Sequence, residues 1–297
     1  MNNVTKRLRN AGLAAGAAAI AIASAVEAGT WDDWNVPANL ETLSGSSPAL
    51  NTPTIDGCAT HSPDGLKIVF NSNRAGTHDI YMATRSSTSE GFGAPVRLPA
   101  PVNSDTFQES CPTLVGDRLY FSSTRDDSAA DIVVSTLGSN GWSTPQNLGS
   151  HINRAGWLDE SAAFYRDDDG RDVIVFSSRQ PHDNGGKIYE SADGEPRHLV
   201  RGGPNSSAQD NRPSITANGL TIFFDSTRTG SLGGPDIYYA TRSRTSDPFG
   251  PAIHLQQLSS PAFDARAFIS GTGTFITFSS NRPGSESPAP DIWFASR

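Results

Sequence analysis

The strongest constraint on the fold is a string that returns five times. It reads IVFNSNR ending at Arg74, LYFSSTR at Arg125, IVFSSR at Arg179, IFFDSTR at Arg228 and ITFSSNR at Arg282. A β-branched and aromatic run followed by a polar turn is the mark of a strand and its exit. The copies stand roughly 50 residues apart, the step of a repeat architecture. Other strings keep the same step. DIYMATR, DIVVSTL, KIYESAD, DIYYATR and DIWFASR follow in turn, opening at Asp79, Asp131, Lys187, Asp236 and Asp291. Then come FGAPVRL, WSTPQNL, EPRHL and FGPAIHL, each placing Pro shortly before Leu. Upstream of each aromatic strand runs another short one: CATHS, CPTLV, SAAFY, RPSIT and ARAFI. The turns SPDG at 62–65, DDDG at 167–170, ANG at 217–219 and GTG at 271–273 supply the positive φ that tight hairpins need.

Each unit is thus four short strands, and no helical periodicity appears after residue 28. Four-stranded units at this period are propeller blades. The expected fold is all-β, a five-bladed β-propeller of four-stranded antiparallel blades. The fifth unit stops at the C-terminus after its third strand. At the other end, Trp34-Asn35-Val36-Pro37-Ala38-Asn39-Leu40 matches WSTPQNL. The N-terminal strand is therefore expected to join the last blade, closing the ring and removing an open sheet edge. Residues 29–297 then make one domain.

Residues 1–28 read as an address. Lys6, Arg7 and Arg9 precede a small apolar run at 11–26, too short to span a bilayer comfortably. Small residues at Ala25 and Ala28 complete the pattern of a secretory signal peptide. Export to a periplasm or beyond is expected, with no membrane span after cleavage. The whole chain carries a net charge of −8, and loss of those three basic residues leaves the rest more acidic still. That balance excludes the cationic face a nucleic-acid binder requires. Two cysteines cannot build a disulfide scaffold.

The S-P-D-G turn at 62–65, the F-x-S-x-R strings and the D-I-Y strings resemble the TolB-like, WD40-like propeller repeat family. The match covers nearly all of residues 34–297. It implies a β-propeller, usually exported in bacteria, often with a binding or scaffolding role. TolB itself is expected to have six blades and an extra N-terminal domain, for which this chain has no room. The third blade also departs, with Lys187 for the usual Asp and no aromatic-Gly pair before Pro196.

Aligning the units exposes an acidic column: Asp56, Glu109, Asp159, Asp210 and Asp264. It opens the first strand of each blade, the strand expected to line the central channel. Three readings are open. The carboxylates pair with the repeated Arg74, Arg125, Arg179, Arg228 and Arg282 or cap turns; or they ring the channel as an oxygen-rich site for Ca²⁺; or they act as acid and base of a glycosidase-like reaction. No other cofactor is expected. Two residues on sit Cys58, Cys111, Ser161, Arg212 and Arg266. Arg212 and Arg266 are ligand candidates for an anionic or sugar-like group, or neutralise Asp210 and Asp264. Cys58 and Cys111 are disulfide candidates, bonded only if their Cα atoms come within about 7 Å. His61 stands where other blades have Leu, Phe or Ile, as a buried strand histidine or a ligand contact. The Asp of the D-I strings is read as structural, bound to the S-x-R turn. The six histidines show no zinc spacing, and no nucleophile elbow, P-loop or dinucleotide fingerprint occurs.

The expected function is that of an exported binding or scaffold module, a monomer meeting a protein or carbohydrate partner through one face. The loops at 181–186, 229–235 and 283–290 are the contact candidates, since loops carry variation on a rigid frame. The alternatives are a carbohydrate-active hydrolase or lyase using the axial carboxylates, and a purely structural propeller.

Overall fold

A computed structural model describes residues 31–180, 182 and 185–297; the segment read as a signal peptide lies outside them. Five antiparallel sheets stand in a ring. The innermost strands are Asp56–His61, Glu109–Val115, Leu158–Arg166, Asp210–Ile215 and Asp264–Ile269. The aromatic strings form the second strands and the D-I strings the third, with a two-residue outer strand beyond each. The second blade gains a fifth short strand, Gly141–Trp142.

The aromatic strands are buried almost end to end because they sit mid-sheet with a neighbouring blade on each face. Phe70, Phe121, Phe176, Phe224 and Phe278 are at most 1% exposed. Five apolar clusters fill the spaces between consecutive blades rather than one centre. The cluster of Leu40, Leu50, Ile68, Phe70 and Ile292 joins the last blade to the first.

The ring closes as the repeat count requires. Ala38–Asn39 pairs antiparallel with the last strand, Asp291–Ser296, with Ala38 opposite Phe294 and Asn39 opposite Trp293. Asn39 donates to Asp291 at 3.1 Å, and Asn51 donates to Asn39 at 2.9 Å and to the Ile292 carbonyl at 3.2 Å. Trp31 and Trp34 pack under Arg297, 4.0 and 5.2 Å from their ring centres.

Every inner strand carries a bulge near its start. Its residue has positive φ in all five blades: Cys58, Cys111, Ser161, Arg212 and Arg266. A bulge bends and twists a strand sharply, which suits strands converging on an axis. None of the five is Gly, so each left-handed residue costs about 1–2 kcal/mol. The repetition makes this strain part of the architecture.

Candidate functional site

The acidic column does not ring an open mouth. All five carboxylate residues are 0% exposed. Asp56 meets Arg74 at 2.5 Å, Glu109 meets Arg125 at 2.9 Å, Asp210 meets Arg228 at 2.5 Å and Asp264 meets Arg282 at 2.6 Å. In the third blade the partner is Arg197, at 2.6 Å from Asp159. Arg179, its counterpart in the repeat, is exposed instead. Arg197 approaches from beside the outer strand His198–Leu199 and lies over Tyr189, Trp157 and Phe176, as the other arginines lie over their blades' aromatics. The guanidiniums also hold backbone carbonyls: Arg228 donates to those of Gly203 and Pro204, both at 3.0 Å. Burial pushes the Glu109 and Asp159 carboxyls up in spite of their arginines.

The third-strand Asp residues bind outward in each blade that has one, and two also bind the loop that carries the S-x-R element: Asp236 accepts from the Leu232 N–H at 2.7 Å and Asp291 from the Glu286 N–H at 2.8 Å. Asp79 takes Arg97 at 2.7 Å, Asp131 takes Asn147 at 2.7 Å, Asp236 takes His254 at 2.8 Å and Asp291 takes Asn39. Each partner is the second residue of an outer strand. In the third blade Lys187 donates to the Ala208 carbonyl at 2.5 Å. A further repeated column went unread in the sequence. Asn51, Asn103, Asn153 and Asn205 each accept from the N–H of the Ile that follows the third-strand Asp or Lys. Their return at the blade step, before Thr, Ser or Arg, was the available signal.

The axis itself is lined by the bulge residues. Cys58 and Cys111 are bonded, with Cα atoms 4.8 Å apart, because the bulges carry adjacent inner strands toward the axis. Arg212 and Arg266 do not neutralise Asp210 and Asp264, whose oxygens are taken by Arg228, Arg282 and serines. Arg212 grips Asp225 with both arms, at 2.9 and 2.7 Å, and stands 3.6 Å from Glu160. Burial opposes the Arg212 charge, yet Asp225 and Glu160 outweigh it and hold the guanidinium protonated. Arg266 meets Asp225 only through its backbone N–H, at 3.1 Å. Asp225 stands in a second-strand column otherwise filled by Asn71, Ser122, Ser177 and Ser279, and Glu160 in one filled by Gly57, Ser110, Asn211 and Ala265. Departure from the repeat was the signal that would have found both.

His61 is 4% exposed, between the rings of Phe268 and Phe275 at 5.5 and 5.2 Å. Burial, helped by Arg85, pulls it down to about 3, so it is neutral. The axial cavity, of about 20 Å³, is lined by the disulfide, Ser161, Arg212 and Arg266, room for about one water. Among the described residues no three His, Cys, Asp or Glu side chains are placed to share a metal ion. Each carboxylate of the acid column is held by an arginine of its own blade. No helix among them is long and apolar enough to cross a membrane.

No protein-family model matches the sequence, and no curated protein matches it. Among solved structures it is similar to an α-L-arabinofuranosidase of Podospora anserina in complex with cellotriose, with TM-score 0.55 and 12% identity over 89% of this chain and 96% of that one. It is similar to the native arabinanase of Bacillus subtilis, with TM-score 0.54 and 12% identity over 82% and 94%. Against TolB of Acinetobacter baumannii the TM-score is 0.48 and the identity 18%, over 75% of this chain and 49% of that one, so it spans about half of that protein. At these identities what the chain shares with its neighbours is the β-propeller fold.

Proposed function

We propose that the protein is an exported, non-catalytic binding or scaffold module that meets a protein or carbohydrate partner through the face where its inner strands begin. The observation that carries this reading is the state of the five carboxylates, each buried and held by an arginine. A glycosidase needs two carboxyl groups facing substrate across roughly 5–10 Å. Here the axial cavity, lined by a disulfide and two arginines, holds only about 20 Å³, too little room for a sugar ring. The loops at 229–235 and 283–290 open on the inner-strand-start face, because they join second strands to third; most of the candidate loop's tip at 181–184 lies outside the described residues. Leu232 and Phe107 stand exposed there, at 50% and 37%.

The second reading is a carbohydrate-active hydrolase. It is favoured by the fold shared with an arabinanase and an arabinofuranosidase, and by Glu160, the axial carboxylate with 12% of its side chain still exposed. Both readings meet one assay. The protein is incubated with arabinan, xylan and their aryl-glycosides, and reducing ends are counted. No turnover is expected. Turnover abolished by Glu160→Gln or Asp159→Asn, with the fold intact, would replace the binding reading by the enzymatic one.

A further inference from the structure

The charges at the axis do not pair evenly. Arg212 takes both oxygens of Asp225 and lies near Glu160. The Arg266 guanidinium forms no ion pair or hydrogen bond among the described residues, and its Nε is buried without a partner. Burial, and then the like charge of Arg212, bring Arg266 down to about 10, although Glu160 and Asp225 act the other way from beyond contact distance. A half-buried guanidinium with no hydrogen-bond partner of its own is costly to keep.

The fold nevertheless makes room for it. A Cβ on Gly57 would stand 2.5 Å from Ser279 Oγ and 3.3 Å from Arg266 Nη1. Blade one has no side chain here, where blades two to five carry Ser110, Glu160, Asn211 and Ala265. Arg266 lines the same cavity as Arg212 and the disulfide; its space is about that of one water, but it is partly open, so a carboxylate can seat one end there. A planar guanidinium with free N–H groups suits the two oxygens of a carboxylate.

We propose that this end of the axis is an anion site, in which Arg266 holds one small monoanion of the size of chloride or of a single carboxylate head group. Glu160 sets its affinity. Its carboxylate lies 3.6 Å from Arg212 Nη1 and 3.9 Å from Cys111 Sγ, inside the same cluster, and repels an incoming negative charge. The site stands whether or not the loop face docks a partner.

Isothermal titration of the purified protein with sodium formate, and separately with sodium chloride, tests this. One saturable site below about 100 mM is expected, with the two anions competing. Arg266→Gln should abolish it. Arg266→Lys, which keeps the charge without the fork, should weaken formate more than chloride. Glu160→Gln should tighten both by about threefold or more, and it keeps the test decisive if Arg266→Gln does not fold. Absence of a saturable site in the wild type, unchanged binding in a folded Arg266→Gln, or unchanged or weaker binding in Glu160→Gln would overturn the assignment.

Discussion

Replacing Arg228 with Met is expected to destabilise the ring by about 3 kcal/mol, the low end for breaking a buried ion pair. The figure follows from what is left behind. Asp210 stays fully buried, having lost a contact at 2.5 Å, with Lys187 Nζ at 3.9 Å as its remaining cation. It keeps Ser226 Oγ at 2.7 Å and the Ser206 N–H and Oγ at 2.6 and 2.8 Å, which holds the cost down. The carbonyls of Gly203 and Pro204 lose their donor, and the Met stem retains part of the packing over Phe224 and Tyr238. At about 2–4 °C per kcal/mol for a chain of this size, Tm should fall by about 6–12 °C. Asp210→Asn added to Arg228→Met should recover part of that, since no charge is then stranded. In the third blade the same reasoning separates two arginines. Arg197→Met should cost about as much as Arg228→Met, because Arg197 holds Asp159. Arg179→Met, at an exposed position, should stay within about 0.5 kcal/mol of wild type. Thermal and urea unfolding followed by tryptophan fluorescence reads all four. The reasoning is refuted if Arg179→Met costs as much as Arg228→Met, or if Arg197→Met is neutral.

The ring clasp carries a pH-dependent group. Burial pushes the Asp291 carboxyl up to about 6 from an ordinary 3.8, against the Glu286 N–H and the Asn39 amide. Folding thus favours its neutral form, and this contribution is full below the ordinary value and lost as pH rises through about 6. Asp291→Asn should raise Tm at about pH 7.5, by an amount equivalent to about 2–3 kcal/mol, and leave it unchanged at about pH 4; a lower Tm at the higher pH in calorimetry would contradict the assignment. The Cys58–Cys111 bond spans 53 residues of chain, worth about 4 kcal/mol if it acts by restricting the unfolded state. The Cys58→Ser, Cys111→Ser double variant should shift the urea midpoint accordingly, and a loss under about 1 kcal/mol would mean that the disulfide adds little to the other constraints.

Much of the candidate site was hidden for a reason that the third blade makes plain. A column in aligned repeats records where a backbone position recurs, not which side chain reaches it. Arg179 keeps the column and turns outward, while Arg197, outside it, fills the guanidinium place beside Asp159. The long, flexible arginine stem lets either position deliver the same charge. Asp225 and Glu160 were overlooked because they look like ordinary polar residues in polar strings. Only their convergence with Arg212 at the axis makes them a cluster.

The sequence by itself determined the number of blades, their four strands and the N-terminal strand that closes the last one. Those follow from local periodicity and from the count of units, and each blade repeats the same local physics. Tertiary structure alone decided the state of the axis. There the inner strands bulge into positive φ, bring Cys58 within bonding reach of Cys111, bury the acid column against its arginines and leave Arg266 Nε without a hydrogen-bond partner. Distances between positions one or more blades apart depend on how tightly the ring draws in, and no local pattern records that.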